Sequence, residues 1–335
     1  MASTLKPGWS KPSTILFAAE IPANEKAFTF ALAQAVEFGA ELILFHAYDT
    51  LVVAASETSG LRYYDFAAAA QLEVDNLAPL AQRVRNAGVK CEVVVRPGLA
   101  ADQIAAILRE REGKREREAK QEREAKQEID RIVMGTHSPG PIGKLLVGSV
   151  AEAVLRTAKV PVCVVGPEVV DGKYRNFETR TILCGVSLHE SCRMVVALAA
   201  ELAAEQNARL ILQHVIRDQD RRETLAHRTI EQLEAEIVAL IPKNLQGKFT
   251  AQAVVVPGDP TEELLYQGRS QQADMIVLGA QNASAFAAVA RQGVVYKVLA
   301  HSHCPVLTLS PVVLASGGAK KEKVHAAEVF LAGVF

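Results

Sequence analysis

The sequence predicts an α/β fold built as two tandem domains, each a five-stranded parallel sheet with helices on both faces. Three observations carry this. Short Val/Ile/Leu runs alternate with amphipathic stretches, which gives βαβ units and right-handed crossovers. The runs are nearly continuous in apolar residues, as suits strands buried on both faces. The pattern occurs twice, and 335 residues at roughly 150 per domain leave room for two copies.

The repeat is legible residue by residue. Thr14-Ile15-Leu16 recurs as Thr181-Ile182-Leu183, and the Ala40–His46 stretch as Ala208–His214. Pro97-Gly98 recurs as Pro257-Gly258, Ile132-Val133-Met134-Gly135 as Ile276-Val277-Leu278-Gly279, and Val160-Pro161-Val162 as Cys304-Pro305-Val306. These landmarks place strands near 14–19, 40–47, 91–95, 130–135 and 161–165 in the first copy. In the second they fall near 181–186, 208–215, 250–256, 274–279 and 305–309. First-copy helices are expected near 23–38, 67–87, 100–128 and 149–158.

One interval differs most. From the Pro-Gly pair to the Gly-ending strand the first copy spends 37 residues and the second 21. The added length contains a duplicated hexapeptide, EREAKQ, at 116–121 and 122–127, made of strong helix formers. Glu116 with Lys120, and Glu122 with Lys126, give i,i+4 pairs in the favourable order. A charged helical insertion over about 109–128 is therefore expected, either a solvated extension or an interaction arm. The domains run 1–170 and 171–312, and a tail, 313–335, is left undecided between disorder and docking.

Composition narrows the setting. Hydrophobic residues make up 49%, enough for two sizeable cores, and the formal net charge of −1 favours neither nucleic acid nor an anionic membrane as obligate partner. No stretch approaches the ~18 apolar residues of a spanning helix, and Met1–Lys11 lacks an apolar signal core. The cysteines Cys91, Cys163, Cys184, Cys192 and Cys304 are scattered, with no C-x-x-C pair. Four of them read as buried small hydrophobes, which fits a reducing cytoplasm.

Ligands of such sheets bind beyond the carboxyl ends of the strands, where the strand order reverses. The fourth strand of the first copy ends there in a glycine-rich segment, Gly135-Thr136-His137-Ser138-Pro139-Gly140-Pro141-Ile142-Gly143-Lys144-Leu145-Leu146-Val147-Gly148-Ser149-Val150. Glycines let backbone N–H groups approach an anion, and the helix expected after Gly148 adds its positive end. The competing reading needs no ligand: Ser149 and Glu152 spell a Ser-x-x-Glu capping box.

This segment resembles the phosphate-binding motif of the universal stress protein family, G-x2-G-x9-G-[ST], and the likeness spans both copies, about 14–166 and 181–310. Gly135 matches the first glycine, Ser138 stands at the second, and Gly148-Ser149 match the last pair. The resemblance implies two Rossmann-like, adenine nucleotide α-hydrolase-like domains and an ATP ligand, with magnesium as its companion ion. It implies that Gly135, Ser138, Gly148, Ser149 and Val150 contact phosphate or ribose, that Met134 and Ala47 line the adenine pocket, and that Ala18 lies nearby. The family's usual aspartate at the end of the first strand is here Glu20, a ribose contact or a surface carboxylate before Ile21-Pro22. The resemblance also implies edge-to-edge pairing through the last strands, so that Val160–Val165 and Pro305–Leu309 pair within the chain as an internal pseudo-dimer. A homodimer of the whole chain is left open.

The second copy departs from the motif. Ser187 takes the acidic position, Ala280–Phe286 follows Gly279, and Gln292-Gly293 stands opposite Gly148-Ser149. A phosphate cradle is not expected there. Other candidates carry less. His46 and His214 end equivalent strands and read as structural hydrogen-bond donors, while His301-Ser302-His303 is a weak metal pair without a counterpart in the first copy. His137 and Lys144 lie in the loop as phosphate contacts or plain loop residues. No Gly-x-Ser-x-Gly elbow, no G-x-G-x-x-G after the first strand and no acidic pair is present, so catalysis beyond slow ATP hydrolysis is not expected.

Overall fold

The computed structural model describes residues 5–6, 8–48, 66–118, 128–136, 147–170, 179–188, 191–226, 228–280 and 293–318. The N-terminal half contains β1 (Thr14–Ala18), α1 (Glu25–Phe38), β2 (Glu41–Tyr48), α2 (Phe66–Asn86), β3 (Cys91–Pro97), α3 (Ala100–Glu118), β4 (Arg131–Gly135), α4 (Ser149–Thr157) and β5 (Val162–Val165). The C-terminal half contains β6 (Thr181–Gly185), α5 (Cys192–Gln206), β7 (Arg209–Ile216), α6 (Arg221–Leu225), α7 (Ile230–Val238), β8 (Ala251–Pro257), α8 (Pro260–Ser270), β9 (Met275–Gly279), α9 (Val294–His301) and β10 (Val306–Leu309), followed by α10 (Pro311–Gly318).

Each strand read from the sequence is present, and the two halves join in one ten-stranded sheet of order β3-β2-β1-β4-β5-β10-β9-β6-β7-β8. Pairing is parallel within each half. The one antiparallel seam is β5 with β10, where Cys163 faces Leu307 and Val164 faces Val306. Both of these four-residue strands are fully buried, so the seam removes two apolar edges that would otherwise invite aggregation. The Thr308 hydroxyl donates to the Val162 carbonyl at 3.1 Å, and the Ser310 hydroxyl to the Ala158 carbonyl at 2.5 Å.

Successive strand residues point to opposite faces, and each face carries one core running through both halves. Ile15, Phe17, Phe28 and Leu44 share one face with Val196, Leu210 and Leu307. Leu16, Ile43, Ile132 and Val154 share the other with Ile211, Ile276 and Val306. α10 belongs to this body, because Val313 and Leu314 are buried in the first core and the helix packs on α4. Val313 and Leu314 thus dock on the sheet, and residues 319–335 lie outside the described residues.

An aspartate ties the entrance of β4 to that of β1. Asp130 Oδ2 accepts from Ser13 N at 2.8 Å, Ser13 Oγ at 2.7 Å and Thr14 N at 3.2 Å. Asp274 repeats this, accepting from Arg180 N at 2.9 Å and Thr181 N at 3.0 Å. Next to Asp130, the fully buried Arg131 donates to Gln34 Oε1 at 2.9 Å and to the Trp9 carbonyl at 2.7 Å. Burial lowers its pKa to about 10. The N-terminal segment is thereby fastened under the sheet with Trp9 buried, and Lys11 reaches Glu205 of the C-terminal half at 3.8 Å.

α3 runs on to Glu118, into the charged stretch, and 119–127 lie outside the described residues. Its base is not simply solvated: Arg111 is buried and donates to Glu92 Oε2 at 2.6 Å.

Candidate functional site

α1 leaves β1 toward one face of the sheet, with Phe28 in the first core, and α4 follows β4 on the other face, with Val154 in the second. Between β1 and β4 the strand order reverses, so a cleft opens at their carboxyl ends. The Pro97-Gly98 turn delivers α3 to its rim. Gly98 has φ +114°, a conformation that side-chain-bearing residues rarely adopt, and its N–H is held by the Tyr48 carbonyl at 2.9 Å.

The cleft encloses about 280 Å³. Ala18, Glu20, Ala47, Met134, Gly135 and Val150 all line it. Gly148 and Ser149 do not line it but stand next to Val150 at the start of α4. Ser138, His137 and Lys144 lie outside the described residues. The sequence reading missed Ala19, Ala151, Ile21, Phe45, Ala100 and Ile104, which also line it. The repeated Pro-Gly pair was the available signal for the last two, because it fixes where α3 begins. Glu20 and His46 are the titratable side chains among the described lining residues, and no lysine or arginine is among them.

The Ser149–Glu152 capping box, the reading that competes with a ligand, does not form. Gly148 is the N-cap of α4, with φ −61° and ψ 156°, and makes no side-chain cap. Ser149 is the first helical residue and is exposed. From there a serine hydroxyl cannot serve as cap acceptor for the N3 amide, so it is left to the solvent side of the helix end.

His46 behaves as a structural donor. Its Nδ1 donates to the Ala19 carbonyl at 2.9 Å, and Nε2 lies 3.8 Å from Glu73 Oε2. His214 repeats the bond, Nδ1 to the Val186 carbonyl at 2.8 Å. The His301 and His303 rings have separate partners, Glu168 Oε1 at 2.9 Å and the Ala273 carbonyl at 3.1 Å. Among the described residues no group of three His, Cys, Asp or Glu side chains is placed to hold a metal. Nor is any described helix long and apolar enough to cross a membrane.

The C-terminal half has its own cleft at the ends of β6 and β9, about 390 Å³, lined by Ser187, Gln213, His214, Leu278, Gly279 and Gly293 among others. Gly293 is the N-cap of α9, with φ −67° and ψ 152°, close to the angles of Gly148. The caps therefore set Gly293 opposite Gly148 and Val294 opposite Ser149, one residue away from the alignment read in the sequence. The glycine is kept and the hydroxyl is lost.

Two doubly wound halves, each with a cleft at its switch point and a glycine-capped helix beside it, define a tandem α/β protein of the ligand-cleft type. The universal stress protein family profile matches residues 12–166 and 178–310, and the chain belongs to that family, with two of its domains in tandem. A universal stress protein from Archaeoglobus fulgidus DSM 4304 is similar at 18% identity with TM-score 0.65, covering 90% of this chain and 97% of that one. A functionally unknown protein from Pseudomonas aeruginosa PAO1 is similar at 18% identity with TM-score 0.57, covering 96% and 99%. A shorter universal stress protein from Archaeoglobus fulgidus, in complex with dAMP, matches at 17% identity with TM-score 0.29 over 39% of this chain and 98% of its own. No curated protein is significantly similar in sequence.

Proposed function

We propose that the chain is an adenine-nucleotide-binding universal stress protein in which the N-terminal cleft holds ATP and the C-terminal half serves as its pairing partner. The observation that supports this most is the convergence of Ala18, Glu20, Ala47, Met134, Gly135 and Val150 on one cleft beside an uncapped helix start. In this reading Ala18, Ala47 and Met134 embrace the adenine, and Glu20 accepts from a ribose hydroxyl. Gly135, Ser138, Gly148, Ser149 and Val150 supply the phosphate and ribose contacts. With no lysine or arginine among the described lining residues, the phosphate charge falls to backbone N–H groups and the helix end. Glu20 is the one carboxylate among those residues, so magnesium would arrive on the nucleotide rather than wait in a protein site. A single carboxylate also fits retention of ATP, with slow hydrolysis at most.

The second half lacks Glu20 and the Ser149 hydroxyl, with Ser187 and Val294 in their places. A second reading, a pairing module of the same fold that binds no nucleotide, draws support from Gly135, because Asn24 packing alone accounts for that glycine. Thermal denaturation with ATP and magnesium separates the two. Ligand at 100 times its Kd stabilises by about 2.7 kcal/mol, so a raised Tm that Gly148→Leu removes supports nucleotide binding. An unchanged Tm at millimolar ATP supports the pairing module.

A further inference from the structure

Gln213 stands on β7 where the repeat puts Phe45 in the first half, and the two differ sharply in chemistry. Phe45 is an ordinary member of the core on its face of the sheet. Gln213 is just as deeply placed, 2% exposed, yet polar. Its Nε2 donates to the Glu263 carbonyl at 3.2 Å, which fixes the amide so that Oε1 is the remaining acceptor. That Oε1 is buried and has no hydrogen-bond partner among the described residues. Buried polar atoms are rarely left so, and such an acceptor calls for a donor that the described residues do not supply.

The surroundings say what kind of donor. Gln213 lines the C-terminal cleft of about 390 Å³, walled by Val186, Leu264, Leu278, Val295 and Tyr296, which is room for a small bicyclic molecule. His214 lines it too, and with Nδ1 donating to Val186 its Nε2 is a second acceptor when the ring is neutral. Burial favours that neutral form by lowering the His214 pKa. The charged side chains among the described lining residues are Arg217 and Asp220, which are of opposite sign. An anion gains nothing from acceptors at the floor, and an apolar body gains from the walls.

We propose that the C-terminal cleft is a second ligand site, specific for an uncharged, largely apolar small molecule that donates an N–H to Gln213 Oε1. This is independent of nucleotide binding in the N-terminal half, and ATP binding there or its failure leaves the expectation unchanged.

The test compares indole with indene, which has nearly the same shape but a CH2 in place of the N–H, by NMR titration of the full chain with labelled methyl groups and glutamine side-chain amides. Indole should bind saturably about tenfold more tightly than indene, the discrimination of one good hydrogen bond. It should shift the Gln213 amide together with the Leu264, Leu278 and Val295 methyls. Gln213→Leu should erase the preference while indene still binds, which shows that the cleft survives the change. Equal affinity for the two probes, no binding of either, or shifts confined to Met134 and its neighbours would overturn the proposal. So would a crystal structure grown with indole in which an ordered water alone meets Oε1.

Discussion

Asn24 occupies the space that a side chain on Gly135 would need: a Cβ built there lies 2.8 Å from Asn24 Cγ. The same Asn24 caps α1, its side chain accepting from Ala27 N at 3.1 Å. The first glycine of the loop is thus demanded by helix packing before any ligand is considered. Gly135→Ala is expected to cost about 1–3 kcal/mol in chemical denaturation, as overpacking does. Adding Asn24→Gly should recover most of that, since glycine is a tolerable N-cap. If the double variant is no more stable than Gly135→Ala, Asn24 is not the constraint.

The seam between the halves rests partly on Ser310, whose hydroxyl donates to Ala158 and accepts from Val313 N at 3.3 Å. Ser310→Ala removes the hydroxyl's bond to the buried Ala158 carbonyl and its bond from Val313 N. Urea unfolding should show a loss of about 1–3 kcal/mol, with both halves still melting together because the cores are continuous across the sheet. A loss below a few tenths would mean that β5–β10 pairing alone holds the seam.

His214 makes stability depend on pH. Its ordinary pKa of 6.5 is lowered in the folded chain, chiefly by burial, against a smaller opposing effect of the bond to Val186. The unfolded chain therefore takes up the proton first. Stability is fully present above 6.5 and is lost as pH falls through the lowered native value. His214→Gln should flatten the stability profile between about pH 7 and pH 5, and parallel profiles for the two proteins would show that His214 contributes nothing.

Thiol chemistry should sort the cysteines. Cys163, Cys184, Cys192 and Cys304 are buried and Cys91 is half-buried, and burial pushes the Cys163 thiol up to about 12. With a thiol reagent at mildly alkaline pH, Cys91 should react first and the buried four only on unfolding. Early labelling of Cys163 would contradict the closed seam.

The architecture was legible because repeated strands and the Pro-Gly pair recur in both copies, and period and repetition survive divergence. The strand order pointed to the ends of β1 and β4, and the family resemblance, rather than the strands themselves, singled out Ala18, Ala47 and Met134, which line the cleft there. What was not readable depends on contacts distant in sequence. Whether Ser149 is the cap or the first helical residue turns on a one-residue shift of the helix start. The Asn24 constraint on Gly135 joins residues far apart in the chain. Arg131, beside an apolar run, gives no hint that it is buried against Gln34 and Trp9. Asp130 and Asp274 do align in the repeat, and their shared bonding role could have been inferred. Gln213 within Leu-Ile-Leu-Gln-His was the visible oddity, and only the structure exposes its orphaned oxygen.

Calorimetric titration of the full chain with ATP and magnesium tests the central claim most directly. Saturation with a single ATP per chain is expected, abolished by Gly148→Leu and kept by Gly293→Leu. Both N-caps have φ near −60°, which leucine tolerates, so the two variants should fold alike. Heat of binding that disappears with Gly293→Leu instead, or no binding at all, would contradict an N-terminal nucleotide site.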